Sequence, residues 1–463
     1  MESVLSGDDA ARSRAPRGPR VLVVALDGVP YTYVRRLFDA GEMPNLHAIH
    51  EHGPLAQMDT SVPNVSSVAW ASFMTGANPG KHNIYGFLDR YPGTSRTYIP
   101  TSRDLRAPTL FELLSSAGRR VFSMNVPVTY PPRPVNGTLI GCFLSPNLEK
   151  ASPTPAVFDV LSRIGYQVDA DPWKARQDKA SFLPHLVEVF EARMEATRHF
   201  WRQERWDFFM THIMETDRLH HFFWEEMEEA DPRFAPAFMD FYRRVDGALG
   251  EIRSWVDDET TLVVLSDHGF CSIRQEVHVN TWLAQNGYLS YTTDAPRELA
   301  DVAPDSLAYS LDPGRIYLNV RGREANGRIE AGAEYERIRG EVAEALATMV
   351  DPSSGSRMVK RVIPREDLYS GEAFEHAPDL VMDMVDGYDA KGPFGKKDLT
   401  FKGDALVGMH TTPDALLSVS GLELGSARPN IVDVAPTILN RLGIAVPEEM
   451  DGRSLAGAAV ADV

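Results

Sequence analysis

Cysteine is nearly absent from this chain of 463 residues, which carries only Cys142 and Cys271. Two thiols build neither a disulfide framework nor a thiolate-rich metal cluster, and they suit a reducing, cytoplasmic setting. Long hydrophobic runs are missing as well. No stretch of about 18 apolar residues occurs, so no membrane-spanning helix and no membrane partner is expected. The opening MESVLSGDDAARSRAPRGPR has mixed charge and no apolar core of a secretion signal; residues 1–19 read as a disordered lead. Positive charge is in deficit. The formal charge is −18, and no basic patch with interleaved aromatics offsets it, which argues against a nucleic-acid polymer as partner. A small anionic substrate would need a local cluster of cations to reverse this field, and bound metals are one source of it. No internal repeat and no long low-complexity segment is present.

What remains is ordinary for a globular protein, 43% hydrophobic and 24% charged, and long enough for a large core plus an inserted module. Residues 21–26 (VLVVAL) form a continuous apolar run that ends at Asp27-Gly28, as a buried parallel strand would. Residues 261–266 (TLVVLS) run likewise into Asp267-His268-Gly269, and 207–213 (DFFMTHI) lead through Glu215-Thr216 to Asp217. Each strand-like run thus delivers a carboxylate at its C-terminal end, where ligands gather in open α/β sheets. Apolar residues at helical spacing over 185–203 and 234–255 predict helices between them. The alternation implies an α/β fold with a largely parallel central sheet flanked by helices. Residues 275–405, richer in turn signals, charge and short strands such as RIYLNV at 315–320, read as an inserted cap lining the cleft. The core then comprises 20–274 and 406–463, resuming with the strand-like ALLSVSG at 415–421 and the helical IVDVAPTILNRLG at 431–443.

Ser66 stands where a loop enters a helix whose apolar face is Val68, Ala69, Trp70, Phe73 and Met74, closed by Thr75-Gly76. A serine at a helix N-terminus lies beside unpaired N–H groups, which favours a phosphate and an ionised hydroxyl; the same position also suits a plain N-cap. Asp217 and His221, four apart on a helix, share one face and can grip one ion. His220 points about 100° away. Asp267-His268 at a strand end is a stronger signal than His410, which sits in the turn-like Gly408-Met-His-Thr-Thr-Pro.

The joint pattern is more specific than its parts. Ala25-Leu-Asp27-Gly28, Val65-Ser66 through Trp70-Ala-Ser-Phe-Met-Thr75-Gly76, and Asn78-Pro-Gly-Lys-His82 open it. Thr216-Asp217-Arg-Leu-His-His221, Ser266-Asp267-His268-Gly269, Gly408-Met-His410 and Asp433-Val-Ala-Pro-Thr437 complete it. In this order they resemble the nucleotide pyrophosphatase/phosphodiesterase branch of the alkaline phosphatase superfamily, and more closely the bacterial group described as predicted phosphohydrolases or phosphomutases, over roughly residues 20–455.

The resemblance implies an alkaline-phosphatase-like core, two divalent metal ions and Ser66 as nucleophile and metal neighbour. Asp217, His221 and His410 would hold one ion, and Asp27, Asp267 and His268 the other. The mixed Asp/His sets suit zinc, with manganese or iron tolerated. The implied activity is a phosphodiesterase acting on a small, nucleotide-type phosphodiester through a phosphoseryl intermediate. A phosphomonoesterase or phosphomutase using the same bimetal site stays open, as does a metal-stabilised binding protein that has lost catalysis. Where that branch carries an asparagine that binds a phosphoryl oxygen, this chain has Phe87. Arg90, Lys396, Lys397 and Lys402 are the candidates for that contact, although the lysines equally fit a solvated loop. A sulfatase is disfavoured, because the Cys-or-Ser-x-Pro-x-Arg pattern is missing around Ser66.

Overall fold

The computed structural model describes residues 18–203, 205–422 and 428–456; all but the end of the lead over 1–19 lies outside them. Its centre is a seven-stranded sheet in the order Ala56–Met58, Ala415–Val419, Thr260–Leu265, Arg20–Leu26, Phe208–Ile213, Val121–Met124, Gly137–Ile140. Five neighbouring strands run parallel, and Ala415–Val419 alone is reversed, pairing antiparallel on both sides. The apolar run at 21–26 is explained by its two faces. Leu22, Val24 and Leu26 point into one hydrophobic cluster and Val21, Val23 and Ala25 into another, so both faces of the strand are covered.

Register brings the three acid-bearing strands level. Ala25 lies beside His212 on one side and Leu265 on the other, so Asp27, Met214-Glu215 and Ser266-Asp267 leave the sheet together at one edge. The following helix, Glu215–Glu228, is fixed at its first turn by a buried ion pair between Glu215 and Arg193, 2.7 Å long. Arg193 belongs to the Lys179–Gln203 helix, which starts six residues earlier than the spacing suggested and carries Pro184 inside it. The proline sits in the second turn, where it leaves the Ala180 carbonyl without an intrahelical N–H partner.

After the Gly269–Ser272 strand the chain leaves the core, and it returns with Gly408–Thr411, which pairs antiparallel with that strand. Between them lie a three-stranded sheet and a four-stranded antiparallel sheet, Ala308–Leu311, Arg315–Leu318, Leu380–Met384, Val359–Pro364. These strands and the Ala333–Ala347 helix enclose a hydrophobic cluster of their own. The segment 431–443 divides into a short 3-10 turn, Ile431–Asp433, and the helix Val434–Arg441. Among the described residues no helix is long and apolar enough to cross a membrane.

Candidate active site

Ser66 is the first residue of the Ser66–Thr75 helix, and its side chain is buried. The preceding Val65 offers no side-chain cap, so the helix's first backbone N–H groups remain available to an anion. Ser66 Oγ lies 3.3 Å from Asp27 Oδ1 and 3.2 Å from His268 Nε2. His268 Nε2 is in turn 3.3 Å from Asp267 Oδ2. Beside this group, His221 Nε2 and His410 Nε2 face each other at 3.1 Å, and each lies within 3.4 Å of Asp217 Oδ1. The seven residues that the motifs pointed to therefore surround one buried point.

The three histidines share a protonation pattern. Nδ1 of His221 reaches the Gly408 carbonyl at 2.9 Å, Nδ1 of His410 the Asn64 carbonyl at 2.9 Å, and Nδ1 of His268 the Gly269 carbonyl at 3.1 Å. A carbonyl only accepts, so each neutral ring carries its proton on Nδ1 and turns an Nε2 lone pair inward. Burial pushes His221 down to about 4 and His268 to about 3, the neighbouring His410 adding to both. His221 and His268 are therefore uncharged at neutral pH. The inward imidazole atoms are consequently Nε2 lone pairs, set among the carboxyl groups of Asp27, Asp217 and Asp267 and the Ser66 hydroxyl.

Such a cluster is self-repelling. Asp267 is raised well above the usual carboxylate range by burial and then by the charge of Asp27. Asp267 Oδ2 and Asp217 Oδ1 are buried without a hydrogen-bond donor, an arrangement that costs several kcal/mol unless a cation completes it, on the order of 1–3 per group. Among the described residues, two groups have ligand atoms close enough to hold an ion: Asp217, His221 and His410, and Asp27, Asp217 and His268. Asp217 belongs to both. The donor set fits divalent metals of the zinc type.

Residues to which the sequence assigned no role in the site complete the frame. Asp27 Oδ2 accepts from Trp70 Nε1 at 2.9 Å and pairs with His212 Nε2 at 2.7 Å, which leaves Oδ1 to face Ser66. Thr216 Oγ1 donates to the Asp27 carbonyl at 2.6 Å. His212 shows no sequence signal beyond its place in a buried strand. His220 is a core histidine, bonded at Nδ1 to the Gly28 carbonyl and at Nε2 to the Tyr242 hydroxyl.

Two cavities meet at this point. One of about 330 Å³ runs between core residues Val62–Val65 and Met409–Pro413 and the excursion's Asp312, Lys360 and Met382–Lys391. A second, of about 300 Å³, opens directly on Ser66 and is walled by Phe87, Ile99, Phe143, Met214 and Arg218. Arg90, Lys396, Lys397 and Lys402 line neither cavity. Arg90 is buried against Glu324 at 3.0 Å and over the Tyr317 ring, and Lys402 pairs with Glu225 at 3.0 Å. Among the described residues lining the serine's cavity the cation is Arg218, adjacent to Asp217 in sequence.

The model of the type I phosphodiesterase/nucleotide pyrophosphatase family matches residues 21–412. The fold is similar to that of phosphonoacetate hydrolase from Sinorhizobium meliloti 1021, with 20% identity, 93% of this chain and 96% of that chain covered, and a TM-score of 0.63. It is also similar to alkaline phosphatase PafA, with 15% identity, 95% and 99% coverage and a TM-score of 0.61. Murine ectonucleotide pyrophosphatase/phosphodiesterase 5 aligns with 14% identity, 92% and 96% coverage and a TM-score of 0.54.

Proposed function

Because the chain belongs to the type I phosphodiesterase/nucleotide pyrophosphatase family and is a phosphoester hydrolase of the alkaline phosphatase superfamily, we propose that it hydrolyses a small phosphodiester through a phosphorylated Ser66. The observation that carries this reading is the ring of inward lone pairs around a serine at a helix N-terminus, with two buried carboxylate oxygens lacking donors. Two divalent ions bound there would neutralise the carboxylates, favour ionised Ser66 and offset charge on the departing oxygen.

The chain's own groups do the rest. Trp70 and His212 hold one oxygen of Asp27, so the other is kept toward Ser66. Once Ser66 has lost its proton to solvent, Oγ forms the new bond to phosphorus as the ester P–O bond breaks, and the departing alkoxide takes up a proton from water. Attack of water on phosphorus in this seryl diester then releases the remaining phosphomonoester and restores the hydroxyl. The helix N-terminus stabilises negative charge on the phosphoryl oxygens throughout. Phe87 and Phe143, with ring centroids 5.9 Å apart beside Ser66, favour an apolar or aromatic ester group such as a nucleoside. A murine relative in an inactive threonine-to-alanine form is complexed with AMP, which supports the nucleotide direction. The excursion over 275–405 acts as the cap in this reading and sets room for the second ester substituent.

The test is turnover of bis-p-nitrophenyl phosphate against p-nitrophenyl phosphate, with zinc and manganese supplied separately and Ser66→Ala as control. Metal-dependent preference for the diester, lost by at least about a thousandfold in Ser66→Ala, is the expected result. Preference for the monoester would reassign the enzyme as a phosphatase or mutase, and full activity in Ser66→Ala would remove the nucleophile.

A further inference from the structure

Among the described residues lining the 300 Å³ cavity at Ser66, Arg218 is the one with a permanent positive charge. Its guanidinium is locked in place. Nε donates to Asp169 Oδ1 at 3.0 Å, Nη2 to Asp169 Oδ2 at 2.7 Å, and Nη1 to Asp217 Oδ2 at 3.1 Å. The plane also lies 5.6 Å from the Phe143 ring centroid. A guanidinium has five N–H groups. Three are engaged here, so Nη1 and Nη2 each keep one N–H without a described partner, on a side chain only 16% exposed that borders the serine's cavity. Such a fork matches two oxygens of a phosphoryl group.

The pairing with Asp169 bears on charge as well as position. With Ser66 still protonated, the Asp27, Asp217 and Asp267 carboxylates and two divalent ions would leave a single net positive charge to meet the incoming substrate. Arg218 and Asp169 cancel each other. A diester carries one negative charge, whereas a monoester dianion carries two. Building on the phosphodiester reading above, we propose that Arg218 binds the non-bridging oxygens of the substrate phosphoryl group, and that its ion pair with Asp169 holds the site at the charge of a monoanionic diester.

Two measurements test this on the full chain. In zinc-loaded Ser66→Ala protein, calorimetric titration with inorganic phosphate reads the contact without turnover, and elemental analysis reads the metal content. Arg218→Ala in that background weakens phosphate roughly ten- to a hundredfold with zinc content unchanged, the loss typical of a charged donor. In otherwise wild-type enzyme, Asp169→Asn raises the monoester-to-diester ratio of kcat/KM by about tenfold, because it frees one positive charge near the phosphoryl site. Phosphate affinity within twofold of the parent in Arg218→Ala overturns the contact. An unchanged ester ratio in Asp169→Asn overturns the charge matching. Should Arg218→Ala fail to fold, Arg218→Lys decides: it keeps the charge and loses the fork, and undiminished phosphate affinity there overturns the proposal. If the parent enzyme turns over no phosphodiester, the phosphodiesterase reading falls, while the phosphate titration still judges Arg218.

Discussion

At the scale of single residues the site is defined by hydrogen atoms and where they are absent. His221, His268 and His410 each spend Nδ1–H on a backbone carbonyl, so their Nε2 lone pairs face one another, the carboxylates and the Ser66 hydroxyl. This makes the ligands separable by experiment. His410→Ala removes a ligand atom from the group it forms with Asp217 and His221 and lowers bound metal by about one ion per chain, on the two-site scheme. Asp217 belongs to both groups, and Asp217→Ala therefore loses more than His410→Ala. Elemental analysis of dialysed protein checks both, and two ions retained in each variant would dismantle the grouping. Trp70 and His212 act one step further out, by holding the far oxygen of Asp27. Nothing in their local sequence announces this, because the contacts span 43 and 185 positions.

At the scale of elements, function depends on strands ending level and on one helix starting in the right place. The Arg20–Leu26 strand turns sharply into Gly28, whose φ of +69° lies in the left-handed region. A Cβ there would stand 2.8 Å from Phe270 Cε2 and 3.2 Å from His268 Cε1. Its N–H also donates to Asp267 Oδ1 at 3.0 Å. Gly28→Ala thus strains the backbone and presses on a candidate ligand at once. The expected cost is about 1–3 kcal/mol of stability, together with weaker metal retention. Urea denaturation with parallel metal analysis checks this, and wild-type values for both would show that the turn relaxes freely. The Glu215–Glu228 helix is placed by a different device, the fully buried Arg193–Glu215 pair at its first turn.

At the scale of the whole molecule, the cleft takes Val65 from one hydrophobic cluster of the central sheet and Met382, Tyr388 and Ala390 from that of the excursion. Arg315, fully buried, ties the two together by donating to Asp89 and to the Leu88 carbonyl, next to the cavity residue Phe87. Inside the excursion, Asp379 is fully buried and accepts from Arg323, Tyr335 and the Leu318 N–H. Burial alone would raise its carboxyl, but the Arg323 hydrogen bonds and charge outweigh it and hold the group below its ordinary value. A lowered folded-state value means that the unfolded chain takes up the proton first on acidification. The pair's contribution is accordingly complete above about pH 4 and is lost as pH falls through the folded value. Asp379→Asn, which leaves Arg323 uncompensated, costs about 3–5 kcal/mol at pH 7. The gap from wild type narrows at pH 3. Denaturant midpoints at the two pH values check this, and a pH-independent gap would assign the loss to packing alone.

The chain's α/β class, its buried strands and the acids and histidines that follow them were all readable in the sequence, for a local reason. A strand covered on both faces must be apolar along its length, so a polar Asp27, Asp217 or Asp267-His268 beyond such a run stands out from its neighbours. The helix starting at Ser66 was legible from its apolar face and its closing Gly76 on the same grounds. Cation placement was not legible. Arg90 meets Glu324, Lys402 meets Glu225 and Arg218 meets Asp169, and a long charged side chain pairs with whatever acid the fold brings near, however distant in sequence. Composition alone therefore could not tell a structural guanidinium from one that borders the serine. Only the tertiary structure decided that, because it sets which charges are buried together and which face the cavity.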